Sequence, residues 1–130
     1  MARARKKLGA SAKLIEVREP EASASQSYFA ILFAARAALA VKGSFPRTHT
    51  GTKGEFGKIF VRPGTLPAEL GDFFGEALVY REKSDYGPEF EISERESKDL
   101  LSKAEAFVKV IGDWIAGSPE SKAWTSKRGG

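Results

Sequence analysis

Two short stretches of the chain stand out for side chains able to hold a phosphate or move a proton. The first is Arg47-Thr48-His49-Thr50-Gly51-Thr52-Lys53-Gly54, which reads as a donor-rich loop between helices. His49 is the only histidine in the chain, and a neutral imidazole accepts a proton near pH 7. With Arg47 and Lys53 beside it, the stretch suits a phosphate-bearing ligand. It lacks the G-x-x-x-x-G-K-[ST] spacing of a P-loop and follows no strand-like segment, so it is not that ATPase motif. A purely structural reading stands next to the functional one: Thr50 or Thr52 caps the following helix, and His49 bonds a neighbouring backbone carbonyl.

The second stretch is Arg81-Glu82-Lys83-Ser84-Asp85-Tyr86. Counted from Ala77 and Leu78, Arg81 falls on or beside the inward face of a helix, where a guanidinium needs a partner. Asp85, four residues on, offers a local clamp. Alternatively Arg81 reaches a cleft and holds a phosphate with its planar fork, with Tyr86 supplying a hydroxyl or a stacking face. Arg36, in the middle of the most apolar segment, must likewise be paired or at a cleft, and Glu55, Glu76 and Asp85 are its candidate partners. No Ser-His-Asp set can be assigned. With no cysteine and one histidine, thiolate zinc sites, iron–sulfur clusters, disulfides and a His-rich metal site within one protomer are excluded, and neither metal nor cofactor is expected.

The elements that must position these residues are helices. At 130 residues with 42% apolar and 29% charged side chains, the chain is one globular domain. From Pro20 to Lys42, the residues Tyr28, Ile31, Leu32, Ala35 and Leu39 recur at the spacing of one helical face. Pro20 suits a first turn, and Gly43 and Pro46 end the helix. Ser93-Glu94-Arg95-Glu96 has the form of a capping box, and Leu100, Ala104, Phe107, Val108, Ile111 and Ile115 line the helix behind it, with Trp114 at the edge. Shorter helices are predicted near Thr52–Val61 (Phe56, Ile59, Phe60) and Pro67–Ser84 (Leu70, Phe73, Phe74, Ala77, Leu78). A weaker one spans Ala4–Val17, where Leu8, Ala12 and Ile15 keep a helical spacing. No run of alternating β-branched residues occurs. The expectation is an all-α antiparallel bundle of four to five helices over residues 1–117, followed by a poorly ordered tail at 118–130 in which Trp124 is the one sticky residue.

The formal charge of +4 and pI of about 9.4 fit an anionic partner without requiring one. The apolar run Tyr28–Val41 is broken by Arg36 and shorter than the roughly 18–20 residues of a bilayer span, so no membrane association is expected. No apolar stretch follows the basic start Arg3, Arg5, Lys6 and Lys7, which leaves a cytoplasmic location as the expectation.

With both clusters in place, a longer string of motifs can be read. It runs through Ser27-Tyr28-Phe29-Ala30, Ala34-Ala35-Arg36-Ala37, Thr48-His49-x-Gly51 and Phe56-Gly57-Lys58-x-Phe60-Val61. It continues through Gly64-x-Leu66-Pro67-x-Glu69-Leu70-Gly71, Arg81-x-x-x-Asp85-Tyr86 and Ala104-Glu105-x-Phe107-Val108. Over about residues 20–112 this order resembles the HEPN family (higher-eukaryote and prokaryote nucleotide-binding), in particular its small single-domain prokaryotic members. The resemblance implies a bundle of four to five helices, usually a homodimer, associated with nucleotides or RNA. It also implies a partnership with a minimal nucleotidyltransferase in a toxin–antitoxin pair. Many HEPN proteins share an Arg-x4-6-His motif that forms a metal-independent ribonuclease site. Here Arg81 matches the arginine, Tyr86 stands where the histidine is expected, and no histidine follows. Gln26 and Phe33 also depart from the arginine and histidine that relatives often carry.

The expected function is that the chain binds or acts on RNA or nucleotide as the toxin-like component of such a pair. If it cleaves, Arg81 stabilises the charge on phosphorus while His49 or Tyr86 moves protons, and Arg47, Lys53, Arg36 and Asp85 line the ligand site. His49 can replace the missing histidine only if the fold brings it to the same side as Arg81. The alternative is a non-catalytic binding or scaffolding module, with Tyr86 available to accept a nucleotidyl group from the partner.

Overall fold

The computed structural model describes residues 1–85, 87 and 89–117. The expectation for the tail therefore concerns residues outside those described. Five α-helices follow one another: α1 (Ala2–Glu16), α2 (Pro20–Val41), α3 (His49–Phe56), α4 (Ala68–Ser84) and α5 (Glu94–Gly117), with a π-helical turn at Gly57–Val61 continuing α3. No strand occurs among the described residues, and the bundle is all-α as the periodicity requires.

α2 is the central helix and touches the other four. Its alanines and serines let neighbours approach closely on several sides, so Ala24, Ala30, Ala34, Ala35 and Ala38 are buried together with Tyr28, Ile31, Leu32 and Leu39. Its length and composition would suffice to cross a bilayer, beyond what the shorter apolar run suggested. However, 56% of its apolar window is buried in the bundle, and its apolar character is that of a core helix. The helix stops in a Schellman motif, with Gly43 at φ 77°. There the Ser44 N–H donates to the Leu39 carbonyl at 2.9 Å and the Gly43 N–H to Ala40 at 3.0 Å.

α1 lies against α2 along a seam of serines. The Ser11 hydroxyl meets the Ser23 and Ser27 hydroxyls, each at 2.8 Å, and also donates to the Ser23 carbonyl at 3.0 Å. The Ser23 hydroxyl reaches back to the Ser11 carbonyl at 3.1 Å. All three serines are buried, so each hydroxyl has exchanged water for a protein partner. The inward face of α1 thus runs through Ala4, Leu8 and Ser11, while Ala12 faces solvent.

α5 begins as its sequence predicts. The Glu96 N–H donates to the Ser93 hydroxyl at 3.0 Å, and the Ser93 N–H donates to the Glu96 carboxylate at 3.1 Å. Its Phe107 packs between Phe56 and Phe74, with ring centroids 5.3 and 6.1 Å away, and Trp114 meets Phe60 edge-on at 4.9 Å.

The stretch read as a loop at 47–54 is in fact mostly helix. α3 starts at His49, and the cap is Thr48 rather than Thr50 or Thr52: the Thr48 hydroxyl accepts from the Gly51 N–H at 2.8 Å. A Cβ on residue 51 would sit 2.6 Å from that same hydroxyl oxygen. Glycine there is therefore a condition of the cap, which gives the Thr-His-x-Gly sequence a mechanical reason. Thr52 is buried and donates to the Thr48 carbonyl at 2.7 Å.

Candidate functional site

One face of α2 carries Phe29, Phe33 and Arg36, spaced at i, i+4 and i+7, none of them fully buried. Around this face the other elements bring most of the polar residues singled out by sequence. The Thr48 cap fixes the first turn of α3, so the His49 ring lies 5.5 Å from the Tyr28 ring and meets Phe29 edge-on at 6.2 Å. The last turn of α4 brings the Arg81 guanidinium over the other side of the cluster, 5.5 Å from the Phe29 centroid. Thus His49 and Arg81, far apart in sequence, share one aromatic neighbour. From α1, Arg3 lies over the Phe33 ring at 4.2 Å, and Lys7 stands 5.9 Å from the Phe29 centroid.

The electrostatics favour an uncharged imidazole. Burial holds the His49 pKa below its ordinary 6.5, and the Arg36 and Arg81 cations push it lower still; Asp85 opposes them. No hydrogen bond to the His49 ring occurs among the described residues, so the carbonyl bond of the structural reading is not formed. Both effects, burial and the nearby cations, favour the neutral ring, which keeps an acceptor nitrogen with no partner among the described residues.

Arg36 is held without being neutralised. Its Nε donates to the Thr52 hydroxyl at 3.3 Å, and a terminal nitrogen reaches the Arg47 carbonyl at 3.5 Å. The three carboxylates offered as partners are engaged elsewhere: Glu55 by Ser44 at 3.1 Å, Glu76 by Lys103 at 2.8 Å and Asp85 by Arg81 at 3.3 Å. Among the described residues no carboxylate pairs with Arg36. Arg81 forms the i,i+4 clamp with Asp85 and still leaves 32% of its side chain exposed beside Phe29.

Arg47 is exposed and joins Arg36, Ser44, Phe45 and Pro46 around a groove of about 280 Å³. Arg36 also lines the next groove, of about 370 Å³, with Arg3 and Phe33. Lys53 is not part of this track. It lines a separate groove between α3 and α4 with Thr50, Gly54, Gly75, Leu78, Val79 and Glu82. Tyr86 lies outside the described residues. Among the described residues no group of acidic or histidine side chains could hold a metal.

Sequence reasoning assigned Tyr28 to the apolar stripe and passed over its hydroxyl. That oxygen is buried and has no hydrogen-bond partner among the described residues. Desolvation pushes the phenol up to about 12, against the pull of Arg36 and Arg81. A tyrosine in a buried stripe is itself a signal, because its hydroxyl normally finds a partner. Arg3 was legible only as part of a basic N-terminus.

A neutral imidazole beside two guanidinium groups, with aromatic faces between them, has the parts to hold a phosphate and accept a proton from a neighbouring hydroxyl. A family model, the HEPN domain, matches residues 1–114. The chain belongs to the HEPN family. Because the match begins at residue 1, α1 is part of the HEPN domain, although the motif string started only near residue 20. A UPF0332 protein of Thermotoga maritima is 31% identical over 109 residues, covering 84% of this chain and 83% of its own. A Methanocaldococcus jannaschii protein named as a candidate toxin is 31% identical over 113 residues, covering 87% of this chain and 77% of its own. A UPF0332 protein of Gloeobacter violaceus is 28% identical over 117 residues, covering 89% and 93% respectively.

Proposed function

We propose that this HEPN chain is the toxin-like half of a cytoplasmic pair with a minimal nucleotidyltransferase, and that as a homodimer it binds and cuts single-stranded RNA. The observation that carries this reading is that His49 and Arg81 meet on the Phe29 ring, on the face of α2 that also carries Arg36, an arginine with no carboxylate partner among the described residues. The candidate-toxin names of two relatives agree with it. In the reaction, a ribose 2′-hydroxyl gives its proton to His49 and its oxygen bonds to the adjacent phosphorus. The 5′-oxygen leaves with the electron pair and takes a proton from water, and the imidazolium returns its proton to the resulting hydroxide. The products are a 2′,3′-cyclic phosphate and a free 5′-hydroxyl. Arg81 and Arg36 offset the charge that builds on the phosphoryl oxygens.

RNA incubated with the purified protein and EDTA should be cut by the wild type, leaving cyclic-phosphate ends, and left whole by His49→Ala and Arg81→Ala. Intact RNA in the wild-type lane would refute cleavage. A second reading draws on the Arg81–Asp85 ion pair: the protein binds without cutting, and Tyr86 is the hydroxyl a nucleotidyltransferase partner modifies. In that case Arg81→Ala lowers the melting temperature and leaves RNA binding unchanged. The homodimer is tested by light scattering, where a mass of about twice 14.1 kDa is expected and a monomer at every concentration would contradict it.

A further inference from the structure

Phe45 is 74% exposed, the most exposed of the large hydrophobic side chains described. It stands in the connection between α2 and α3, one residue past the Schellman motif that ends α2. The connection is not loosely held. Gly43 and Ser44 are bonded to the end of α2, the Arg47 carbonyl accepts from Arg36, and Thr48 caps α3. Phe45 is therefore presented to solvent by a fixed backbone. The groove it lines also contains Pro46, Arg36 and Arg47. Glu55, which accepts from Ser44 of that lining at 3.1 Å, forms no ion pair with either arginine among the described residues. An open aromatic face next to two guanidiniums matches the chemistry of a base joined to its phosphate.

We propose that Phe45 is a stacking platform for one unstacked base of single-stranded RNA, whose adjoining phosphate is held by Arg36 and Arg47. The inference rests on the RNA reading above and deepens it. Because Arg36 lines both this groove and the one shared with Arg3 and Phe33, the platform holds a base at the edge of the aromatic face of α2, and binding is expected to favour single strands over duplex. Charge decides against a second copy of the chain as the occupant, since an apolar self-contact would leave Arg36 and Arg47 unmatched at its rim.

The test uses the full chain and a fluorescein-labelled oligoadenylate, with binding followed by anisotropy at low salt. Phe45→Ala should weaken binding on the order of tenfold, the usual loss of one base–aromatic stack. Phe45→Trp should retain binding, and Phe45→Leu, which keeps apolar bulk without a π-face, should bind like the alanine variant. An abasic ribose-phosphate oligomer should bind wild type and Phe45→Ala equally. Unchanged circular dichroism is expected throughout, because the side chain supports no core contact. If the wild type binds oligoadenylate and Phe45→Ala binds it equally well, the platform is refuted and the RNA reading stands. If the wild type does not bind at all, both fall. If Phe45→Ala converts a dimer to a monomer in light scattering, the ring belongs to a self-contact and the platform is refuted.

Discussion

The two faces of α2 treat their polar groups in opposite ways. Toward α1, the hydroxyls of Ser11, Ser23 and Ser27 are all satisfied by one another or by backbone carbonyls. Toward α3 and α4, among the described residues, the Tyr28 hydroxyl has no partner, the His49 ring has no hydrogen bond, and Arg36 has no carboxylate. A satisfied network rigidifies the joint it occupies, whereas an unsatisfied group in the interior is a standing cost. The contrast separates a seam that builds the bundle from a face whose polar groups the bundle itself does not fully use.

The largest effect expected from breaking this contrast is chemical. His49→Ala should reduce RNA cleavage by about 10²- to 10⁴-fold, the range for loss of a positioned general base, with little change in melting temperature. A gel assay and thermal denaturation of the same sample check both halves. At the seam the pattern should invert. Ser11→Ala strands partners of two other buried serines, so unfolding should become easier by about 1–3 kcal/mol in a urea titration, while RNA affinity stays as in the wild type.

Arg36→Gln removes one of the cations that depress the His49 pKa. The imidazole midpoint should move up toward 6.5, and cleavage near pH 6 should fall more than cleavage near pH 8, because more of the base is protonated at the lower pH. The smallest effect belongs to Tyr28→Phe. Deleting a hydroxyl with no partner should leave stability unchanged or slightly raised, and any loss of RNA affinity in this variant would show that the hydroxyl serves the ligand.

Stability should carry its own trace of the cleft. Since the folded-state pKa of His49 lies below the ordinary 6.5, its contribution is present above pH 6.5 and is lost as pH falls through the folded value. His49→Gln should remove that part of the acid dependence.

The limits of the sequence show in the same two regions. Pro20, Gly43 and the Ser93–Glu96 box marked their helix ends because those signals act within one turn. The start of α3 was placed late because Gly51 and Gly54 are poor helix formers and its apolar pattern begins only at Phe56. The serine seam was unreadable for another reason. Ser11 makes the inward face of α1 look polar, and only the approach of Ser23 and Ser27 on α2 turns the three hydroxyls into a buried network. His49, Arg36, Arg47 and Arg81 were identifiable as residues needing a partner or a ligand. That Glu55, Glu76 and Asp85 would be taken by Ser44, Lys103 and Arg81 is a tertiary fact, and so is the shared Phe29 ring. Lys53 illustrates the converse, since its closeness to His49 in sequence ended in a different groove.

His49 offers the most direct measurement, because a chain with one histidine gives one set of imidazole resonances. Its NMR titration, with and without single-stranded RNA, reads the central claim that this ring is a neutral, unbonded group in a phosphate-binding cleft. A midpoint below 6.5 in the free protein, raised when RNA brings its phosphates alongside, is the predicted result. A midpoint at or above 6.5 that RNA leaves unmoved would contradict it.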